Sequence, residues 1–370
     1  MIRRAAFWLV VVARIVGAWG LHWDIQWHVQ IGRDSFWIAP HVMMYASVAL
    51  TFVVAFAVLA RDTLARPAAG APAWRVLGLV GTPGFHLLAW GTAVVVLAAP
   101  IDDLWHRLFG LDVTLWSPPH LLGLGGSAVS TLGGVLIARE LYSMTSVAGL
   151  AGALLAGALL YGGVRITLDP AFLLAFAHGG VLFHAYAILA AIVLPPVLIV
   201  TARLAERRWA PVAVVGVALA VGAAGDAVAW LGFAIVQPRS VIQEEIRKDP
   251  TSPIAQANAI TEKNRGTRPW SGRLVAILAA AAMALVDVRR RPVAATLAFA
   301  VALFALTGWY LAGRPAYEPL VPGLPDTLIA LALTLVAGVL GAISGRTLAD
   351  RLERRPAAMP AGAPLTSPVA

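Results

Sequence analysis

Residues 23–61 read WDIQWHVQIGRDSFWIAPHVMMYASVALTFVVAFAVLAR, and the second half of that stretch decides the fold. From Val42 to Ala60 nineteen consecutive residues carry no formal charge. At about 1.5 Å of rise per residue they make a helix of about 29 Å, close to the roughly 30 Å hydrocarbon core of a bilayer. Runs of this kind recur over roughly 5–30, 40–61, 83–108, 118–139, 146–167, 171–202, 210–236, 271–288, 292–312 and 326–346. The chain therefore reads as an all-α polytopic bundle of about ten spans, because in lipid a helix satisfies its own backbone.

Composition agrees. Of 370 residues, 59% are hydrophobic and 13% charged, too few charges to coat a soluble protein of this size. The formal net charge of +9 is arginine-rich and tracks the loops. If the N-terminus is cytoplasmic, sixteen arginines, among them Arg3, Arg4, Arg61 and the run Arg289–Arg291, fall on the inner side. The short opposite loops hold Arg33, Arg107, Arg165 and Arg314. This asymmetry predicts both termini in the cytoplasm of a bacterial-type inner or cell membrane. The charge thus needs no nucleic acid to explain it, and the lipid bilayer is the expected surrounding. Cysteine is absent, which excludes disulfides and thiolate metal sites. The N-terminal run lacks a clear small-residue cleavage site and reads as a retained first helix.

The chain divides into a tandem-repeat region over 1–140, helices over 141–236, a polar extracytoplasmic segment over 237–270, helices over 271–346 and a disordered tail over 347–370. The repeat lies in the first part of the quoted stretch. Residues 101–120 read IDDLWHRLFGLDVTLWSPPH and align with it after one insertion. Asp24 matches Asp102, Trp27 matches Trp105, His28 matches His106, and Pro40-His41 matches Pro119-His120. In each copy the Asp and first His are four apart and share one helix face. The second His follows a Pro at the start of the next helix, where Pro is tolerated. A short turn between the helices brings one carboxylate and two imidazoles together, a recurrent ligand set for copper, non-haem iron or zinc. An ionisable group at bilayer depth costs about 2.5–3.5 kcal/mol unless a cavity, partner or metal receives it. The expected site is Asp24, His28, His41, Asp102, His106 and His120, on the extracytoplasmic side. Two parallel repeats allow either two mononuclear sites or one shared dinuclear centre, with a slight preference for the shared centre.

The stretch 23–41 resembles the metal-binding signature of the C subunit of the copper membrane monooxygenases, the particulate methane and ammonia monooxygenases. That signature has an Asp, a His four residues later, a loop with Arg-Asp and an aromatic residue, and a second His. Asp24, His28, Arg33, Asp34, Phe36 and His41 stand at those positions. The resemblance covers about twenty residues per copy and is weaker in the second, where Leu111 replaces the Arg. It implies a copper site with Asp24, His28 and His41 as ligands, and the repeat extends the set to Asp102, His106 and His120. It also implies oxidation of a small apolar substrate with dioxygen, beside partner subunits such as a periplasmic cupredoxin-like one. Nitrogen-rich donor sets favour copper over iron or zinc. The family subunit carries one such triad where this chain carries two. Two other functions fit the same residues: a non-catalytic membrane copper-binding or transfer protein, and a proton-coupled transporter.

The remaining polar residues read as structural. Trp19, Trp23, Trp27, Trp37, Trp105 and Trp116 suit an interfacial belt. His86, His178 and His184 suit hydrogen bonding within spans, His22 the interface, and Asp169 a helix cap. Asp226 in AAGDAVAWLGF reads more readily as structural than as a worn third copy of the motif. Arg14 is expected to snorkel inward or pair with an acid. Pro195-Pro196 is expected to kink or end its helix.

Overall fold

Long apolar runs fold as helices where no water can satisfy an open backbone, and helix dominates the described chain. The computed structural model describes residues 1–32, 35–65, 73–109, 115–168, 178–267 and 271–353. In chain order these form α1 (Ile2–Gln30), α2 (Ala39–Ala65), α3 (Pro83–Phe109), α4 (Pro118–Leu141) and α5 (Val147–Ile166). A 3-10 turn at Gly180–His184 leads into α6 (Ala185–Leu204), followed by α7 (Ala210–Val236). Two short helices, α8 (Ile242–Lys248) and α9 (Pro253–Lys263), precede α10 (Ser271–Leu285), α11 (Pro292–Ala312) and α12 (Leu324–Glu353). A small antiparallel hairpin, β1 (Trp74–Val76) and β2 (Leu79–Gly81), links α2 to α3. Nine of the described helical segments are long and apolar enough to cross a membrane, and Gly272–Leu285 is a shorter apolar one. This is an integral membrane, all-α polytopic protein.

Helix pairing positions the polar clusters. α1 packs on α2, and α3 on α4, while α2 meets α3 between the pairs. Among lipid tails a pair gains by close approach, which small residues permit. At the α3–α4 contact a Cβ added to Gly91 would lie 2.5 Å from the Ser130 backbone nitrogen. One added to Gly133 would lie 2.5 Å from that of Leu88. The two backbones are thus in direct contact. At the α1–α2 contact a Cβ at Gly17 would meet the Ser47 side chain, Oγ at 2.5 Å and Cβ at 2.8 Å, and one at Gly20 would lie 3.0 Å from the Pro40 carbonyl oxygen.

Four expectations change. Trp23 and Trp27 are buried rather than at a lipid interface. They pack on each other and on Phe233 of α7, with Trp23 lying over Gly232. Trp37 and Trp116 are exposed, as a belt requires. Helix α6 continues through Pro195 and Pro196 to Leu204 instead of ending there, and Gly345 of α12 packs against the Pro196 backbone. His178 precedes the helix instead of lying in it, and the last span continues past 346 to Glu353. Asp34, Leu111, Asp112, Asp169 and the tail from 354 lie outside the described residues.

Candidate metal centres

The second copy builds the tighter site. Helix α3 carries Asp102 and His106 one turn apart near its end. Pro100 sits two residues before Asp102, and Pro118 and Pro119 open α4, so His120 is the third residue of that helix. Trp116 anchors the segment before α4 by donating its Nε1–H to the Thr167 carbonyl at 2.8 Å. The result places His106 Nε2 at 3.4 Å from Asp102 Oδ2 and His120 Nε2 at 3.3 Å from Asp102 Oδ1. One donor atom from each of the three residues lies within 4.8 Å of the others. A metal held at 2.0–2.1 Å in tetrahedral geometry would set neighbouring donors about 3.3–3.4 Å apart. Each imidazole lies near that distance from a different oxygen of Asp102. Asp102 Oδ1 is buried and accepts no hydrogen bond, despite the imidazole beside it. Asp24 Oδ1 of the first copy is likewise buried without a hydrogen bond.

The first copy is arranged differently. His41, again the third residue of its helix, brings Nε2 to 3.0 Å from Asp24 Oδ1. His28 does not complete the set. Its Nδ1 hydrogen-bonds the Asp24 backbone carbonyl at 2.9 Å and stands 3.6 Å from Asp24 Oδ1. The His28 and His41 rings are 6.5 Å apart, against 5.8 Å for His106 and His120. Asp24 is buried at 8% exposure, while His28 is largely exposed. Tyr45, one turn beyond His41, lies 5.8 Å from its ring and packs on Phe36. Among the described residues the one convergent donor set is Asp102, His106 and His120, drawn from α3 and α4 alone.

The end of α1 is held from outside its own pair. Gly32 turns the chain with φ of 74°. Ile242 of α8 packs where a Gly32 side chain would stand. Val241 donates its N–H to the Ile31 carbonyl at 2.8 Å and Ser240 its hydroxyl to Gln30 at 2.6 Å. The polar segment after α7 thus docks two to four residues past His28.

Other polar residues find partners that sequence reasoning did not supply. Asp226 accepts from Gln26 at 3.0 Å and from Arg273 at 3.0 Å, with His22 Nδ1 3.6 Å away. His22 also packs over Gly222 and Gly225 of α7. The i, i+4 spacing of His22 and Gln26 was the available signal. Asp226 serves α1 and α10 as a cross-link rather than copying the motif. Arg14 lies among hydroxyls of α3 and α4, and among the described residues no acid pairs with it. His86 is satisfied by the Trp74 carbonyl at 3.1 Å and the Trp90 Nε1 at 3.3 Å. His184 stacks on Phe304 with ring centres 4.2 Å apart. Comparison with family models, curated proteins and solved structures finds no match for the chain.

Proposed function

We propose that this integral membrane protein binds a transition metal at Asp102, His106 and His120, with copper the preferred ion. The carrying observation is the convergence of these three donors within 4.8 Å, one carboxylate oxygen being buried and unbonded. The donor set fits the group: two imidazoles and a carboxylate suit copper first, then iron or zinc. His106 and Asp102 share one helix face, so α3 fixes two donors and the proline-led start of α4 delivers the third. Arginine asymmetry puts this end of the bundle on the extracytoplasmic side. Asp24 and His41 form a second, weaker position that His28 completes only by turning its ring. In this reading the two triads are separate sites, since the convergent donors come from a single helix pair.

A duplicated helical unit accounts for the parallel. Arg14 and Thr92 each stand ten residues before the Asp of their own copy, and they touch at 3.4 Å. This contact supports the reading that the two carboxylates lie toward the same end of the bundle, each about 15 Å further along its helix.

The resemblance to the copper membrane monooxygenase C subunit extends the reading to oxidation of a small apolar substrate with dioxygen. Bound copper would supply the redox chemistry, while Asp102, His106 and His120 would hold it and leave positions open. A second reading, copper binding and transfer without turnover, is favoured by one observation: all three side chains are 21–29% exposed, within reach of a donor or acceptor protein. Metal content and oxygen uptake test both. The purified chain should hold copper that Asp102→Asn and His120→Ala release. Substrate-dependent oxygen consumption would select the enzyme, and copper binding without it the transfer protein. Equal copper in wild type and both variants would refute the site itself.

A further inference from the structure

His120 and Glu140 stand near the two ends of α4. They are about 30 Å apart along its axis, the thickness of a hydrocarbon core. Around Glu140 the first turn of α1, the last turns of α2 and the end of α4 border an open recess of about 490 Å³. Arg3, Arg4, Arg61, Asp62 and Glu140 line it together with Ile2. Sites for small molecules have volumes of about 300–1,000 Å³. The arginines are held in place by the protein. Arg3 donates its Nε–H to the buried Asp62 at 2.9 Å and brings Nη2 to 2.8 Å from the same oxygen. Arg61 donates from Nη1 to Asp62 Oδ1 at 3.3 Å. Arg4 donates from Nη2 to the Leu141 carbonyl at 3.2 Å and lies over the Tyr142 ring, 5.0 Å from its centre. A guanidinium carries five N–H donors in a rigid fork, so these contacts orient all three groups and leave N–H donors over.

The charges around the recess do not balance. Three guanidiniums line it against the two carboxylates of Asp62 and Glu140. Asp62 is shared between Arg3 and Arg61. Glu140 serves the start of α3, its Oε1 accepting the Gly84 N–H at 2.8 Å and its Oε2 the Thr82 hydroxyl. A positive charge is left over, on forks whose geometry matches the oxygens of a phosphate. Aliphatic side chains stand beside it: Ile2 of the lining is 56% exposed, and Leu64, next to the lining residue Ala65, is 84% exposed. Cationic forks beside exposed aliphatic residues, at a membrane face, suit an amphiphile better than a free ion. We infer that this recess binds the phosphate group of an anionic phospholipid headgroup, seated by Arg3, Arg4 and Arg61. The arginine asymmetry assigns it to the cytoplasmic leaflet, where basic pockets between helices take such headgroups. The site is independent of metal binding at the other end of the bundle.

The test is calorimetric titration of the full chain in non-ionic detergent, at constant ionic strength. The ligands are dioctanoyl phosphatidylglycerol, dioctanoyl phosphatidylcholine and glycerol phosphate. Phosphatidylglycerol should bind about tenfold more tightly than phosphatidylcholine, whose headgroup brings its own cation to the phosphate. Arg4→Gln and Arg61→Gln, at two exposed positions, should each weaken phosphatidylglycerol about tenfold, the loss of one charge-assisted contact. Arg290→Gln, at an exposed arginine between α10 and α11, should leave binding unchanged. Should either recess variant fail to fold, the other variant and the wild-type preference between the two lipids decide. Equal affinity for the two lipids would overturn the proposal, as would a preference for phosphatidylglycerol that survives both recess substitutions. Glycerol phosphate binding as tightly as phosphatidylglycerol would make a soluble phosphate the ligand and overturn the lipid assignment.

Discussion

Helix pair α1–α2 and helix pair α3–α4 carry the same three donors at nearly the same spacing, yet only the second closes them around a point. The difference lies in what surrounds each pair. Backbone meets backbone at Gly91 and Gly133, so α3 and α4 are locked at short range and His120 is delivered to Asp102 and His106. At α1–α2 the backbones approach less closely, a Cβ at Gly20 lying 3.0 Å from the Pro40 carbonyl oxygen, and the far end of α1 is tied to α7, α8 and α10. Asp24 is more deeply buried than Asp102, but His28 bonds its own helix instead of the shared point. A motif sets which donors can meet; the neighbours of each helix set whether they do.

The sharpest break of this comparison is a pair of matched substitutions. Asp102→Asn should weaken copper binding about 100-fold or more, because a charged donor is replaced by a neutral one of equal size. Asp24→Asn should cost less than about tenfold. Competition with a chelator reads both, and equal losses would erase the distinction between the copies.

Next in size is helix approach. Gly133→Ala should destabilise the protein by about 2–3 kcal/mol and lower occupancy at Asp102, since its new methyl group meets backbone that cannot turn aside. Gly17→Ala, facing the Ser47 side chain instead of backbone, should cost less, about 1 kcal/mol. Thermal unfolding with metal analysis of both variants distinguishes them. A smaller effect is expected at the end of α1. Ser240→Ala removes the hydrogen bond to Gln30, worth about 1 kcal/mol. It should speed amide exchange over residues 28–32 about fivefold and leave 105–109 unchanged. Uniform exchange would mean that the polar segment does not hold the first site. Smallest of all, Asp226→Asn should cost under about 1 kcal/mol, because both it and Arg273 are substantially exposed. Copper occupancy should stay the same at either triad.

The span pattern was legible because hydrophobic length is a local property, and ten apolar runs correspond to nine long helices and one short one. The Asp–His pairs were legible for the same reason, four residues making one turn. So was the proline that starts α2 and α4 one residue before each second His. What could not be read depended on distant partners. Trp23 and Trp27 have belt chemistry, yet Phe233 and Gly232 of α7 bury them. Arg14 has no neighbour in sequence that foretells four hydroxyls from α3 and α4. The docking of Ser240 and Ile242 just beyond His28 is set by contacts over two hundred residues away in the chain.

The most direct measurement is X-ray absorption at the copper edge on the loaded chain and on its Asp24→Asn and Asp102→Asn variants. The account predicts copper with two imidazoles and an oxygen donor in wild type, an unchanged spectrum in Asp24→Asn, and loss of copper in Asp102→Asn. Copper retained with the same spectrum in Asp102→Asn, or no copper bound by the wild-type chain, would contradict it.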